Sequence, residues 1–221
     1  MVEGYTGVYD KRPQPTSSMV KLPPGVGEFQ KSHLKYIRER GFDPQYLYDT
    51  WGVRGIGLNP KLSWRLFIPI HVQKRVVSWT TRSIAANSDR RYISASPEEE
   101  AVPHKTILYG ADLVPGGTII VVEGPADAWR IGPGAVATFG LSMSLQQVRE
   151  IGSYPRRVLC FDNEPGARRR AVELAERTFS HLPGETLVVS LETGKDPGCA
   201  EPQEVQELRT KVGLPPNVLL V

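Results

Sequence analysis

Only two cysteines, Cys160 and Cys199, occur in the 221 residues, and neither belongs to a Cys-x-x-Cys pair. That is too few for a four-cysteine zinc site or a disulfide-stapled scaffold, and it fits a reducing compartment such as the cytoplasm. No apolar run approaches the roughly 20 residues a membrane helix requires, so no membrane partner is expected. The opening residues, MVEGYTGVYDKRPQPTSS, lack the hydrophobic segment of a secretory signal. No repeat occurs at solenoid periods. Hydrophobic residues make up 40% and charged residues 23%, the balance of a globular chain that buries a core. These absences leave an intracellular protein without structural zinc as the expectation.

Neither sign of charge dominates the whole, at +3, but the halves differ: residues 1–110 carry +6 and residues 111–221 carry −3. A basic half joined to an acidic half suits an enzyme that grips a polyanion with one part and holds cations with the other. Residues 1–27, rich in Pro, Gly and Ser without apolar period, read as a flexible arm. The spacing of Phe29, Leu34 and Ile37 predicts a helix from Glu28 to about Gly41, and a second short helix follows Pro44. Leu66–Val72, then QKR, then Val76–Arg82 read as a β-hairpin. Residues 28–112 therefore look like a small basic α+β subdomain.

The rhythm changes in residues 113–221. Four short apolar runs, Thr118–Val122, Ala135–Phe139, Arg157–Phe161 and Thr186–Leu191, alternate with helices starting near Pro125, Ser144, Pro165 and Glu201. Buried strands alternating with helices predict an α/β domain built on a doubly wound, mostly parallel sheet. The closing NVLLV (Asn217–Val221) reads as a last strand.

In such a sheet the functional groups gather at the C-terminal strand ends, and those ends are acidic. Glu123 follows the first run directly, with Gly124 after it and Asp127 one turn further on. Asp162 follows the third run, with Glu164 two positions later. Asp196 stands in the loop GKDPG after the fourth. Crowded carboxylates raise one another's pKa unless a cation compensates. Hard oxygen ligands of this kind suit Mg²⁺, or Mn²⁺, bridging to a substrate phosphate. Singly, each acid is also an ordinary helix cap or first-turn acid, a reading that weighs most on Asp127 and Glu164.

These segments resemble the Toprim superfamily, and within it the catalytic core of bacterial and phage DnaG-type primases. IIVVEGPADAWR is similar to the first Toprim motif, FDNEPGARRRA to the second, and GKDPG to the third. AVATFG matches the strand and glycine between them. Ahead of these, WRLFIPI, VVSWTTR and RYISASPEEEAVPHKTILYG resemble three ordered primase segments. The likeness covers about residues 28–210.

The resemblance implies a Toprim domain preceded by a basic subdomain, with Glu123, Asp162 and Glu164 catalytic. Metal would be held by these three with Asp127 and Asp196. Arg65, Arg82, Arg91 and Lys105 would line a basin for single-stranded DNA template and NTPs, and Tyr92 would stack on a base. The chain departs from the pattern at Gly198, where the third motif usually carries a second acid, and at Glu164, where the second carries Asp. Neither zinc-ribbon ligands nor a Walker motif is present, so a separate helicase or zinc-ribbon protein would supply those functions. The implied activity is short RNA primer synthesis, in a host cytoplasm if the chain is phage-encoded. A Toprim nuclease using the same carboxylates, or a non-catalytic nucleic-acid-binding module, are the alternatives.

Overall fold

The computed structural model describes residues 19–163, 166–194 and 196–217. The chain divides into two compact units, one within Pro15–His104 and the other running on from Lys105. The sequence reading had set its boundary between residues 112 and 113. Among the described residues no helix is long and apolar enough to cross a membrane.

The first unit is an antiparallel sheet in sequence order: β1 (Val26–Gly27), β2 (Arg54–Ile56), β3 (Arg65–Val72), β4 (Arg75–Ser83) and β5 (Tyr92–Ser94). The hairpin β3–β4 is its centre, and its two-residue turn, Gln73 and Lys74, has φ of 51° and 62°. Positive φ at both central positions matches the strand twist and fixes the register, here without the usual Asn-Gly. One face buries Ile56, Leu62, Phe67, Trp79 and Ala95 as a cluster.

Two helices accompany the sheet, α1 (Lys31–Glu39) and α2 (Pro44–Trp51). Gly41, at φ 69°, ends α1 as its sequence position suggested. Its N–H donates to Arg38 O and that of Phe42 to Ile37 O, the paired bonds that satisfy the last carbonyls of a helix. Asp43 caps α2 by accepting from the Gln45 N–H at 2.9 Å, and Pro44 occupies the first helical position, where its missing N–H costs nothing.

Part of the expected arm belongs to this unit. Val26 and Gly27 pair with Ile56 and Gly55, the Lys21 carbonyl accepts from the Trp79 indole, and the Pro24 carbonyl accepts from the Asn59 amide. Residues 1–18 lie outside the described residues.

The second unit is a four-stranded parallel sheet in the order β7-β6-β8-β9, with β6 Thr118–Val122, β7 Ala135–Ala137, β8 Arg156–Cys160 and β9 Glu185–Val189. Helices α3 (Pro125–Ile131), α4 (Leu145–Gly152), α5 (Ala167–Phe179) and α6 (Pro202–Lys211) alternate with the strands. This is the doubly wound arrangement expected, and all its pairings are parallel. Ile119, Val121, Val136, Leu159 and Phe179 are core members at 1% exposure or less. The closing residues 218–221, expected as a strand, lie outside the described residues.

The order 7-6-8-9 means the chain reverses direction at β6, moving first to β7 and then back across to β8. In open parallel sheets such a reversal marks where ligands bind, which here is the C-terminal end of β6. The opposite end is closed by a buried arginine. Arg157 is fully buried and donates to the carbonyls of Gly152, Tyr154 and Pro183 and to the Thr186 hydroxyl. Dipoles stand in for a counter-ion there, so that end is structural.

Candidate active site

Glu123 is the first residue past β6 and is half-buried. Its carbonyl accepts from the Gly140 N–H at 3.1 Å, which ties the strand end to the loop after β7. That loop is itself strained. Phe139 has φ 62°, a left-handed conformation that a bulky side chain rarely adopts and that tends to mark functional loops. The Thr138 hydroxyl closes the loop by donating to Gly140 O at 2.7 Å.

Asp162 lies two residues past β8 and is half-buried. Since β6 and β8 are parallel neighbours with Val121 opposite Leu159, extending that register sets Glu123 level with Phe161, beside Asp162. Asp196 precedes the single turn Pro197–Cys199, and its Oδ1 is buried without a hydrogen-bond partner. Glu164, expected as a third catalytic acid, lies outside the described residues.

Asp127 sits in the first turn of α3 at 9% exposure. Its Oδ2 accepts from the Gly124 N–H at 2.9 Å, the local bond of a first-turn acid. Its Oδ1 accepts from the Gly198 N–H at 3.0 Å, a partner 71 residues away. Burial pushes this carboxyl up to about 7, and the charges of Asp196 and Asp162 add to the rise, against the two amides that favour ionisation. Asp162 and Asp196 are thus each within electrostatic reach of Asp127. Burial likewise pushes the Cys160 thiol up to about 12, with Asp127, Glu204 and Asp162 adding to it, so it is no nucleophile.

Among the described residues no group of three His, Cys, Asp or Glu side chains is close enough to hold a metal ion by itself. The donor set nevertheless fits a hard divalent cation. A buried carboxylate oxygen without a partner is a costly group that a cation would satisfy, and a cation would relieve the repulsion that raises Asp127. Magnesium asks for only one or two carboxylates, taking its other ligands from water and substrate phosphate.

The loop carrying Asp196 is held by a residue that the sequence did not single out. Glu204, in the first turn of α6, accepts from the N–H of Glu192 at 2.6 Å and of Thr193 at 3.1 Å, and from the Thr193 hydroxyl. The Thr193 hydroxyl in turn accepts from the Glu201 N–H at 2.9 Å. The sequence signal was present, an acid three residues past a helix start, but its partners were not deducible.

The cations expected to line a binding basin are used in different ways. Arg65 is 6% exposed and donates to Arg90 O at 2.6 Å and Arg91 O at 3.2 Å. Arg82 is 5% exposed; its Nε donates to the Tyr36 hydroxyl at 2.7 Å and its Nη1 to the Tyr92 hydroxyl. These two hold neighbouring parts of the first unit in place. Arg91 is exposed, and Tyr92 keeps 36% of its surface accessible. Lys105, in the second unit, is exposed and donates to Phe139 O at 2.5 Å, which anchors it on the strained loop that also holds Glu123.

No family model matches the chain. The DNA primase of Enterobacteria phage T4 is 33% identical over 103 residues, a match spanning 46% of this chain and 28% of that protein. Among solved structures, the Aquifex aeolicus primase (zinc-binding and RNA polymerase domains) superposes with a TM-score of 0.68 at 20% identity, over 83% of this chain and 56% of that one. A DnaG primase catalytic domain bound to single-stranded DNA gives 0.67 at 19% identity, over 82% of this chain and 71% of that one. The RNA polymerase domain of Mycobacterium tuberculosis DnaG gives 0.62 at 19%, over 83% of this chain and 74% of that one. These likenesses establish the fold as that of DnaG-type primase catalytic cores.

Proposed function

We propose that this chain, which has the fold of the DnaG-type primase catalytic core, makes short RNA primers on single-stranded DNA. The observation that supports the reading is that Asp162 and Asp196 both lie within electrostatic reach of Asp127, in the loops after strands of the parallel sheet. The segments ahead of that edge resemble primase, and one structure of the same fold is bound to single-stranded DNA.

In this reading Glu123, Asp162, Glu164 and Asp196 hold Mg²⁺ or Mn²⁺, which when bound would neutralise charge on the nucleotide phosphates and acidify the attacking hydroxyl. Glu123 is fixed through its backbone to the Thr138–Gly140 loop, so the strand end that carries it is held before substrate arrives. Lys105, anchored on that loop through Phe139 O, offers a point charge to phosphate, and Arg91 offers a bidentate fork to the template backbone. Tyr92 supplies a base-stacking face. Arg65 and Arg82 serve Arg91 and Tyr92 indirectly, by holding the Arg91 carbonyl and the Tyr92 hydroxyl.

Residues 28–112 form the template-facing subdomain in this reading and 113–221 the metal-binding one. The protein works in the cytoplasm, the host's if phage-encoded, together with a helicase or zinc-ribbon partner.

The test is incubation of the chain with labelled NTPs, Mg²⁺ and single-stranded DNA. Short labelled oligonucleotides that need the DNA and vanish with chelator support the reading. Cleavage of the DNA without NTPs would instead assign a nuclease.

A further inference from the structure

We propose that Asp127 is a positioning residue which sets the spacing of the metal-binding loops, and that it is not itself a metal ligand. This rests on the site being a divalent-cation centre, as proposed above. Both carboxylate oxygens of Asp127 already accept from backbone amides, Gly124 N at 2.9 Å and Gly198 N at 3.0 Å. The first amide belongs to the residue after Glu123, and the second lies two residues after Asp196. One buried side chain therefore joins the loop that carries Glu123 to the loop that carries Asp196.

The glycine at 198 follows from the same contact. A Cβ built there would stand 2.7 Å from Asp127 Oδ1, closer than a carbon and an oxygen pack, and 3.3 Å from Asp196 Oδ1, a tight contact. A side chain at 198, the usual second acid included, therefore requires the clamp to shift. In this chain the 198 position contributes an amide to Asp127 where the usual pattern contributes a ligand. Asp196 Oδ1, buried and without a hydrogen-bond partner, remains the ligand the third loop supplies.

Outer carboxylates that orient metal ligands typically change metal affinity about 10- to 100-fold when altered, without removing the site. Mn²⁺ binding to the full chain, counted by electron paramagnetic resonance without nucleotide, tests this. Asp127→Asn is expected to bind the same number of ions as the wild type, with Kd raised about 10- to 100-fold. The Mn²⁺ concentration for half-maximal primer synthesis should rise in parallel while KM for NTP holds. Gly198→Ala keeps every carboxylate but displaces the clamp, and should show the same loss of affinity. Were Asp127 a ligand, Asp127→Asn would bind one ion fewer than the wild type.

A readout on the unaltered chain guards against variants that fail to fold. The Gly124 and Gly198 amides should exchange slowly with and without saturating Mg²⁺. Faster exchange on adding Mg²⁺ would show the carboxylate turning to the cation, and would overturn the inference. A wild type that binds no Mn²⁺ would overturn the metal-centre reading as well, whereas an ion lost only in Asp127→Asn overturns the clamp alone.

Discussion

Gly198→Ala adds a single methyl group at the most crowded point of the site. Its Cβ would lie 2.7 Å from Asp127 Oδ1 and 3.3 Å from Asp196 Oδ1, so about half an ångström must be found somewhere. Asp127 cannot retreat, because its other oxygen is tied to Gly124 N and the side chain is 9% exposed. The Pro197–Cys199 turn must therefore move, which stretches the Gly198 N–H bond to Asp127. A hydrogen bond to an uncharged carboxyl contributes about 0.5–1.5 kcal/mol, and over-packing costs about 1–3 kcal/mol. Together these destabilise by about 1.5 to 4.5 kcal/mol, a fall in Tm of about 3 to 18 °C for a chain of this size. Calorimetry and urea unfolding of the full chain measure it. In an Asp127→Ala background the same methyl meets no oxygen at 2.7 Å, so its cost should drop below about 1 kcal/mol. A Gly198→Ala protein with wild-type Tm, or equal costs in both backgrounds, would refute the argument.

Three further outcomes are expected. The Asp127 carboxyl, pushed up to about 7 by burial and then by the charges of Asp196 and Asp162, stays protonated in the folded chain where the unfolded chain has ionised. Its contribution to stability is full below about pH 4 and lost as pH rises to about 7, up to about 4 kcal/mol. Metal-free unfolding curves should show this slope, and Asp127→Asn should remove it. Arg65→Lys cannot reach the carbonyls of both Arg90 and Arg91 with one ammonium, so amide exchange in residues 88–91 should quicken and stability fall by about 1–3 kcal/mol. Glu204→Ala frees the N–H groups of Glu192 and Thr193, and those amides should lose protection; unchanged protection would show that the loop is held by something else.

The parallel sheet was legible because its strands are continuous apolar runs, each ending in an acid or a glycine turn. Thr118–Val122 was read to the residue, and Asp162 was found because it stops the Arg156–Cys160 strand. The short strands β1, β2 and β5, of two or three residues, carry no period to read. Their pairing is decided by the β3–β4 hairpin beside them. The turn at Gln73 and Lys74 was legible as a turn but not as its type, since neither residue favours positive φ by itself.

The site was half legible for a related reason. Which acids stand at strand ends follows from local pattern, but what each side chain touches depends on long-range packing. Asp127 looked like a ligand or a helix acid, and its bond to Gly198 crosses 71 residues. Gly198 looked like a missing ligand, although its lack of a side chain is what lets Asp127 approach. Arg65 and Arg82 looked like cations lining a binding basin; the carbonyls of Arg90 and Arg91 and the hydroxyls of Tyr36 and Tyr92 are what allow them to be buried.

The most direct measurement is template-dependent incorporation of labelled ribonucleotides by the wild-type chain beside Glu123→Gln and Asp162→Ala, in Mg²⁺ and again in Mn²⁺. Short primers from the wild type, with at least a roughly hundredfold loss in both variants and folding retained, are the expected result. Primers made equally well by Asp162→Ala would contradict the account.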